Sequence, residues 1–349
     1  MWQQRKKLIE QIEERRKSRL ICYVTSNRPG LEAQLAKDAL RLFYSQLREP
    51  GEPGPGRLDV LLFTLGGDTV AGFGLGRLVR EFAREVRVLV PGDCRSAGTL
   101  FALSANQIFM TRFGTLSPID PSVTTPFNPL PSGVAYAPGQ FPPGQSSPLP
   151  PVSVESVSGF YDLVTKSWQI GGADKAAAFK LLADKVHPLA LGDVYRRRQQ
   201  IELLARTLLQ ARGTGEGDIE KIVKKLTTEL GSHDYPIYRS EARELLGSQV
   251  AGDDPELEDL LSRLLDDFSD EMLFGRPYHA ALAFQQEKSK GLPAPIRMRL
   301  QLAAVESRKA RHVYERTVIL SESEMQLPGQ PVLKVVQQQL VDEGWGHYT

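Results

Sequence analysis

The chain has 349 residues, of which 41% are hydrophobic and 24% charged, and its formal net charge at pH 7 is +1. This composition is typical of a globular protein with one large or two modest domains, and the small net charge argues against nucleic acid as a partner. Two cysteines are too few for a disulfide framework and indicate a reducing compartment. Because no signal peptide or membrane-spanning run is visible, we expect a cytoplasmic protein.

Residues 1–19 predict a basic amphipathic arm. They carry seven basic and three acidic side chains, a net charge of +4. Trp2, Leu8, Ile9 and Ile12 fall near one helical face. Two roles stay open for this arm: packing on the rest of the chain or on another subunit, and docking on a membrane surface, which would make the protein membrane-associated.

The chain then predicts alternating strands and helices. An apolar run at residues 20–24 is followed by helical periodicity at residues 32–47. Two further apolar runs, at residues 58–64 and 86–90, each end in a glycine-containing turn that opens into a helix. Runs of this kind are typical of buried parallel strands in βαβ units, so both turns should lie at the same edge of one sheet.

The two turns at that edge carry Gly66, Gly67 and Ser96. A glycine turn leaves backbone N–H groups uncovered, and a serine at a helix start places its hydroxyl beside them. This combination suits acyl transfer, in which a nucleophile attacks next to donors for an oxyanion. The plainer interpretation of Ser96 is a helix cap.

Gly72, Gly74 and Gly76 lie on the helix between these turns. Their spacing is Gly-x-Gly-x-Gly, and the next strand ends at Val90 and Pro91 without a ribose-binding acid, so the pattern does not indicate a dinucleotide site. We expect the glycines to let the helix pack closely, and we expect no cofactor.

The run Leu65-Gly-Gly-Asp-Thr-Val-Ala-Gly72 and the run Ser96-Ala-Gly-Thr-Leu-Phe-Ala-Leu103 resemble the core of the Clp protease and signal peptide peptidase A superfamily. The chain is most similar to its serine dehydrogenase proteinase group, over roughly residues 19–250. The resemblance implies an α/β fold of the crotonase-like, Clp protease-like type with a ββα superhelix. It also implies hydrolysis of peptide or protein substrates by a serine, and assembly into a homo-oligomer.

Within this resemblance, His187 and Asp234 match the motifs that carry the catalytic histidine and aspartate. Ser96 would attack the carbonyl, His187 would accept its proton, and Asp234 would orient the imidazole. The Gly66-Gly67 turn and Ala97 would form the oxyanion hole.

The identity of the base stays open at this point. Ser96 and His187 are 91 positions apart, more than in the Clp proteases, which requires an insertion at about residues 121–186. Lys166 is the main alternative, as in the Ser-Lys branch, provided that burial lowers its pKa. His233 is a further candidate, and both His187 and Asp234 could serve only as loop or cap residues.

Residues 118–151 contain 11 of the 24 prolines. They form either an ordered lid over the site or a partly disordered segment. Helices are predicted at residues 152–170, 173–186, 193–211 and 218–230.

Residues 251–349 predict a separate C-terminal extension. It begins with an acidic amphipathic helix at residues 253–271, continues loosely helical over residues 276–306, and includes a strand at residues 311–320. His279, His312 and His347 look isolated, so no metal site is expected. The predicted domains are therefore an arm at residues 1–19, a catalytic domain at residues 20–250 and this extension.

Two classes of function follow. The first is a serine peptidase. The second is a non-catalytic scaffold or interaction protein of the crotonase-like type, with an enzyme acting on coenzyme A esters as a weaker third.

Overall fold

The computed structural model describes residues 2–48, 54, 56–119, 122–123, 152–325 and 333–348. The chain divides into two compact units, Met1–Leu116 with Pro236–Thr349, and Ser117–Tyr235. Most of the predicted Pro-rich lid at 118–151 lies outside the described residues, so its ordering stays a prediction.

The described helices and strands are as follows in chain order. The helices are α1 (Trp2–Arg16), α2 (Asp38–Leu47), α3 (Thr69–Phe82), α4 (Ala97–Ala102), α5 (Val154–Asp162), α6 (Ala173–Ala183), α7 (Pro188–Ala211), α8 (Glu216–Lys224), α9 (Arg239–Leu246), α10 (Pro255–Met272) and α11 (Ala280–Ser289). The strands are β1 (Arg19–Thr25), β2 (Arg57–Phe63), β3 (Glu85–Val90), β4 (Gln107–Met110), β5 (Thr115–Leu116), β6 (Ser122–Val123), β7 (Val152–Ser153), β8 (Ile237–Tyr238), β9 (Val250–Ala251), β10 (Ile296–Ser307), β11 (Arg311–Met325) and β12 (Leu333–Tyr348).

The first unit is a mixed α/β structure built on one large sheet. Among the described residues, eight strands lie in the order β12-β11-β10-β1-β2-β3-β4-β9. Strands β1, β2, β3, β4 and β9 pair in parallel with their neighbours, whereas β10, β11 and β12 pair antiparallel. The apolar runs at β2 and β3 are almost wholly buried, as expected for parallel strands covered on both faces.

The C-terminal part of the chain completes this sheet, which corrects two predictions. Strand β10 pairs with β1, so residues 251–349 are not a separate extension. The predicted loosely helical stretch at 276–306 contains helix α11 and then strand β10. In that strand Ile296, Met298 and Leu300 alternate with polar residues, a period of two that favours a strand.

The N-terminal arm is a packing element. Leu8, Ile9 and Ile12 are buried in a core cluster with apolar side chains of the acidic helix α10, among them Leu261 and Phe268. The apolar face of α1 is therefore occupied by protein. This contradicts the alternative that the same face enters a membrane surface.

A buried charge cluster joins α1 to α10 and β10. Arg5 is fully buried and forms ion pairs with Asp267, with Glu271 at 2.5 Å and with Glu306 at 2.8 Å. A guanidinium buried at this depth needs several carboxylate partners to offset its lost hydration. The cluster explains why an acidic helix and a basic arm occur in the same chain.

The second unit is mainly helical. Helices α7 and α8 are in contact, and both bury apolar side chains, including Ile201, Leu208 and Ile219. The predicted helix at 152–170 is shorter than expected, because α5 is followed by a π-helical turn over Leu163–Ser167. The unit runs from Ser117 to Tyr235, so it is larger than the insertion predicted at about 121–186.

None of the described helices is long and apolar enough to cross a bilayer. The two histidines His312 and His347, which looked isolated in the sequence, lie side by side on β11 and β12 with ring centroids 4.7 Å apart. They form no group of three or more potential metal ligands within the described residues.

Candidate active site

The Gly66-Gly67 turn follows β2 and is locked by threonine hydroxyls. Gly66 has φ +115° and Gly67 has φ +147°, conformations that side-chain-bearing residues rarely adopt. The Gly66 N–H donates to Thr64 Oγ1 at 3.1 Å, and that hydroxyl accepts a second hydrogen bond from Thr25 at 2.9 Å. These contacts fix the turn at the carboxyl edge of the parallel strands.

The backbone of Leu35 pairs with the glycine turn on one side. Its N–H donates to the Gly66 carbonyl at 2.8 Å, and its carbonyl accepts from the Asp68 N–H at 2.9 Å. A Cβ on Gly67 would lie 2.3 Å from the Leu35 carbonyl oxygen, so only glycine fits there. Leu35 could not be predicted from the sequence, because it contacts the turn through backbone atoms, which are the same in every residue type.

Helix α3 begins directly after the turn. The Asp68 carboxylate accepts hydrogen bonds from the N–H groups of Val70 at 2.7 Å and Ala71 at 3.3 Å, which caps the helix. A Cβ on Gly72 would lie 2.5 Å from the Ala97 carbonyl oxygen, so α3 approaches α4 closely at this glycine. The predicted close packing therefore occurs at Gly72, against the helix that follows Ser96.

Ser96 occupies a strained position between β3 and α4. Its backbone has φ +50° and ψ −110°, and its side chain makes no capping hydrogen bond to the helix. The helix-cap interpretation is therefore wrong. A non-glycine residue in such a conformation stores strain, and a serine held on a sharp strand-to-helix turn is the arrangement of nucleophile elbows.

The structure brings Ser96 and the glycine turn together. A Cβ on Gly66 would lie 2.8 Å from the Ser96 Cβ and 3.4 Å from its Oγ. The Arg95 N–H donates to the Thr64 carbonyl at 3.0 Å, which ties the serine turn to the end of β2. Ser96 is 8% exposed, so its surroundings exclude most water.

Some backbone N–H groups around Ser96 are hydrogen-bonded within the protein, and others are not. The Gly66 N–H donates to the Thr64 hydroxyl, so it is not available as a donor in the predicted oxyanion hole. Within the described residues, neither the Gly67 N–H nor the Ala97 N–H makes a hydrogen bond. Ala97 directly follows the serine in sequence, and Gly67 belongs to the turn whose other glycine, Gly66, lies against the Ser96 side chain.

Cys94, two residues before the serine, is not a competing nucleophile. Both cysteines are free and buried, as predicted, and burial raises the pKa of the Cys94 thiol, with the nearby Asp93 adding to the effect. A thiol in this state is a poor nucleophile. Its sulfur instead packs against Gly98, where a Cβ would lie 3.2 Å away.

The predicted histidine and aspartate belong to the second unit. His187 is exposed, and its Nδ1 accepts a hydrogen bond from the Leu189 N–H at 3.2 Å, so it caps α7. In this arrangement the lone pair of Nδ1 is occupied. Asp234 is also exposed, and its N–H donates to the Ser232 hydroxyl at 3.3 Å.

The alternative bases also belong to the second unit. Lys166 has a side chain that is 74% exposed and pairs with Asp162 at 2.9 Å. The aromatic side chains near it in sequence, Tyr161 and Trp168, are themselves largely exposed. Lys166 therefore lacks the burial that its role as a base would require. His233 is half-buried.

Comparisons with known proteins find relatives without an assigned function. No protein-family model matches the chain. An uncharacterised protein of Methanocaldococcus jannaschii is 28% identical over 200 residues, covering 57% of this chain and 55% of that protein. A second uncharacterised protein of the same organism is 24% identical over 191 residues, covering 54% of this chain and 50% of that protein.

The chain therefore spans about half the length of the curated relatives that it matches. Among solved structures, it is similar to a mutant form of a membrane-bound stomatin-specific protease, with 14% sequence identity and a TM-score of 0.39. That alignment covers 69% of this chain and 84% of the other chain. A score at this level does not establish a shared fold.

Proposed function

We propose that this protein is a serine peptidase of the crotonase-like, Clp protease-like type, with Ser96 as its nucleophile. The observation that carries the proposal is the strained Ser96 backbone held against the Gly66-Gly67 turn. Strain of this kind persists only where the surrounding structure enforces it, and it is concentrated at functional sites. Here it keeps the hydroxyl out of a capping hydrogen bond.

In the proposed reaction, the Ser96 hydroxyl attacks a peptide carbonyl and its proton passes to a base. The carbonyl oxygen becomes an oxyanion that the N–H groups of Gly67 and Ala97 would stabilise. Each such donor contributes about 3 kcal/mol in known acyl-transfer enzymes. The amine product then leaves with a proton, and water hydrolyses the acyl-enzyme.

The proposal keeps His187 as the base and Asp234 as its partner, on the strength of the sequence motifs alone. His187 can accept a proton through Nδ1 only if its capping bond to the Leu189 N–H opens. The structure does not favour Lys166 as the base, because its ammonium group is exposed and paired with Asp162.

Active-site labelling tests the proposal directly. The full chain is incubated with a fluorophosphonate probe, and the labelled residue is identified by mass spectrometry. We expect labelling that disappears in Ser96→Ala and persists in Ser45→Ala, which changes an exposed serine on α2. A correctly folded chain that never reacts would contradict the proposal and favour the non-catalytic scaffold.

We also propose that the protein is a homo-oligomer, as the resemblance implies, and that it is cytoplasmic, as its cysteine content suggests. Large apolar side chains on α6 and α7 support self-association, because exposed apolar clusters commonly mark interfaces. Those with more than half of their surface exposed are Phe179, Leu181, Leu189, Tyr195 and Leu203. Light scattering of the full chain measures the oligomeric state, and a monomer at micromolar concentration would contradict this part.

A further inference from the structure

A pocket of about 230 Å³ lies in the first unit. Its lining includes Tyr23, Glu32, Asp38, Tyr314, Glu343 and Trp345. Tyr23 comes from β1, Tyr314 from β11, and Glu343 and Trp345 from β12. Glu32 belongs to the segment that leads into α2, and Asp38 is the first residue of that helix. We call it the aromatic-acidic pocket.

The aromatic side of this pocket is held in place by specific contacts. Trp345 and Tyr314 are directly opposite on neighbouring strands, and their rings meet edge to face with centroids 5.3 Å apart. The Trp345 indole N–H donates to Asp38 Oδ2 at 2.8 Å, which links β12 to the start of α2. The indole therefore has a fixed orientation.

The charge of the pocket is negative. Arg316 contributes the positive charge in the lining, and Glu343 neutralises it through hydrogen bonds of 2.8 Å and 3.3 Å. Glu32 and Asp38 are then left as two carboxylates with no ion pair to a described lysine or arginine. Three acids against one base leave a net charge of −2.

The pocket lies next to the glycine turn. Gln34 is part of its lining, and a Cβ on Gly67 would lie 3.0 Å from the Gln34 Cβ. The following residue, Leu35, is hydrogen-bonded to the turn on both of its backbone groups. The wall of the pocket and the candidate oxyanion donor are therefore neighbouring backbone segments.

We propose that the aromatic-acidic pocket binds a lysine or arginine side chain of the peptide substrate, close to the bond that Ser96 attacks. This inference rests on the proposed function and adds a substrate class to it. A cationic side chain is attracted by carboxylates and by the faces of indole and phenol rings, and its aliphatic stem packs on apolar surface. An acidic side chain would meet two unneutralised carboxylates and be rejected.

Charge-removing variants test the pocket without changing its shape. Asp38→Asn keeps an oxygen that accepts the Trp345 N–H, and Glu32→Gln keeps the length of its side chain. Asp266→Asn is the matched control, since Asp266 is an exposed acid on α10 outside the pocket. The readout is cleavage of fluorogenic peptides that differ only in carrying lysine, arginine, glutamine or glutamate at each position in turn.

The unmodified chain should cleave the basic peptides about tenfold faster than the glutamine peptides, as judged by kcat/KM. The double variant Glu32→Gln with Asp38→Asn should lose this preference, and the control should keep it. Equal cleavage of all peptides, or a basic preference that survives the double variant, would overturn the inference while leaving the peptidase proposal intact.

If no peptide is cleaved, a binding measurement tests whether the pocket recognises basic side chains. Ser96→Ala protein is titrated with the same fluorescent peptides, and anisotropy gives the dissociation constants. Tighter binding of the lysine and arginine peptides that requires Glu32 and Asp38 supports the pocket independently of hydrolysis. Absence of that difference refutes it.

Discussion

Gly66 and Ser96 lie so close together that a Cβ added to the glycine would be 2.8 Å from the Cβ of the serine. Since real Cβ atoms do not approach this closely, the residue at position 66 must lack a side chain if the serine is to stay where it is. The turn at Gly66-Gly67 and the turn at Ser96, which were predicted to lie at the same edge of the sheet, are thus in contact.

Gly66→Ala should abolish fluorophosphonate labelling. The new methyl group would collide with Ser96, and the alanine would also be strained at φ +115°. Labelling kinetics and a thermal unfolding curve measure the two effects. Gly291→Ala is the control, because it has φ +88° with no atom within 4 Å of its added Cβ. If Gly66→Ala labels as fast as Gly291→Ala, the serine is not held as described.

His187→Asn separates the two roles of this residue. Asparagine is a good helix cap, so α7 should keep its stability, whereas a base would be lost. We expect unchanged thermal unfolding and a loss of peptidase activity of at least about a hundredfold, the usual contribution of a general base. Lys166→Ala should leave activity unchanged. The opposite pattern would reassign the base to Lys166 and return His187 to a capping role.

Arg5→Ala should destabilise the protein strongly. Removing the guanidinium takes the Arg5 partner from Asp267 and leaves Arg311 to compensate both Glu271 and Glu306. A buried cluster with this excess of negative charge costs about 3–5 kcal/mol of unfolding free energy. Urea denaturation measures the change. The comparison is Arg57→Ala, whose exposed pair with Glu85 contributes about 0–1 kcal/mol. Equal losses for the two variants would show that the buried cluster has no special importance.

The same cluster predicts a loss of stability in acid. Burial raises the pKa of Glu271, but Arg5 and Arg311 lower it by more, so the net pKa lies below its ordinary value of 4.5. A carboxyl whose pKa is lower in the folded state stabilises the protein above the unfolded value, and this stabilisation is lost as pH falls. Unfolding free energy should therefore decline below about pH 4.5. The Glu271→Gln variant should show a shallower decline, and an unchanged one would contradict the assignment.

The parts of the fold that were predicted correctly are those with local signals. Strands β2 and β3 are continuous apolar runs, and the turns after them carry glycine and serine, so both the elements and their shared edge could be inferred. The predicted helix at 32–47 begins only at Asp38, because the preceding residues bend to pair Leu35 with the glycine turn. That pairing depends on a distant segment, which no local pattern records.

Strand β10 shows a different kind of failure. Ile296, Met298 and Leu300 alternate with polar residues in the sequence, but this short signal directly follows the stretch that forms helix α11. Its pairing with β1 joins positions such as Tyr23 and Val305, which lie at opposite ends of the chain. Among the site residues, the strain at Ser96 and the locking role of Thr64 became visible only with backbone geometry.

Pairing of β1 with β10 also sets the order in which the protein can be completed during synthesis. A ribosome that has made the serine and both glycines has yet to make the strand that covers the outer edge of β1. Until that strand emerges, the nascent chain carries an unpaired strand edge at β1, next to the strand that leads into the Gly66-Gly67 turn. The sheet beside this turn is therefore complete only after residues 296–307 have been translated.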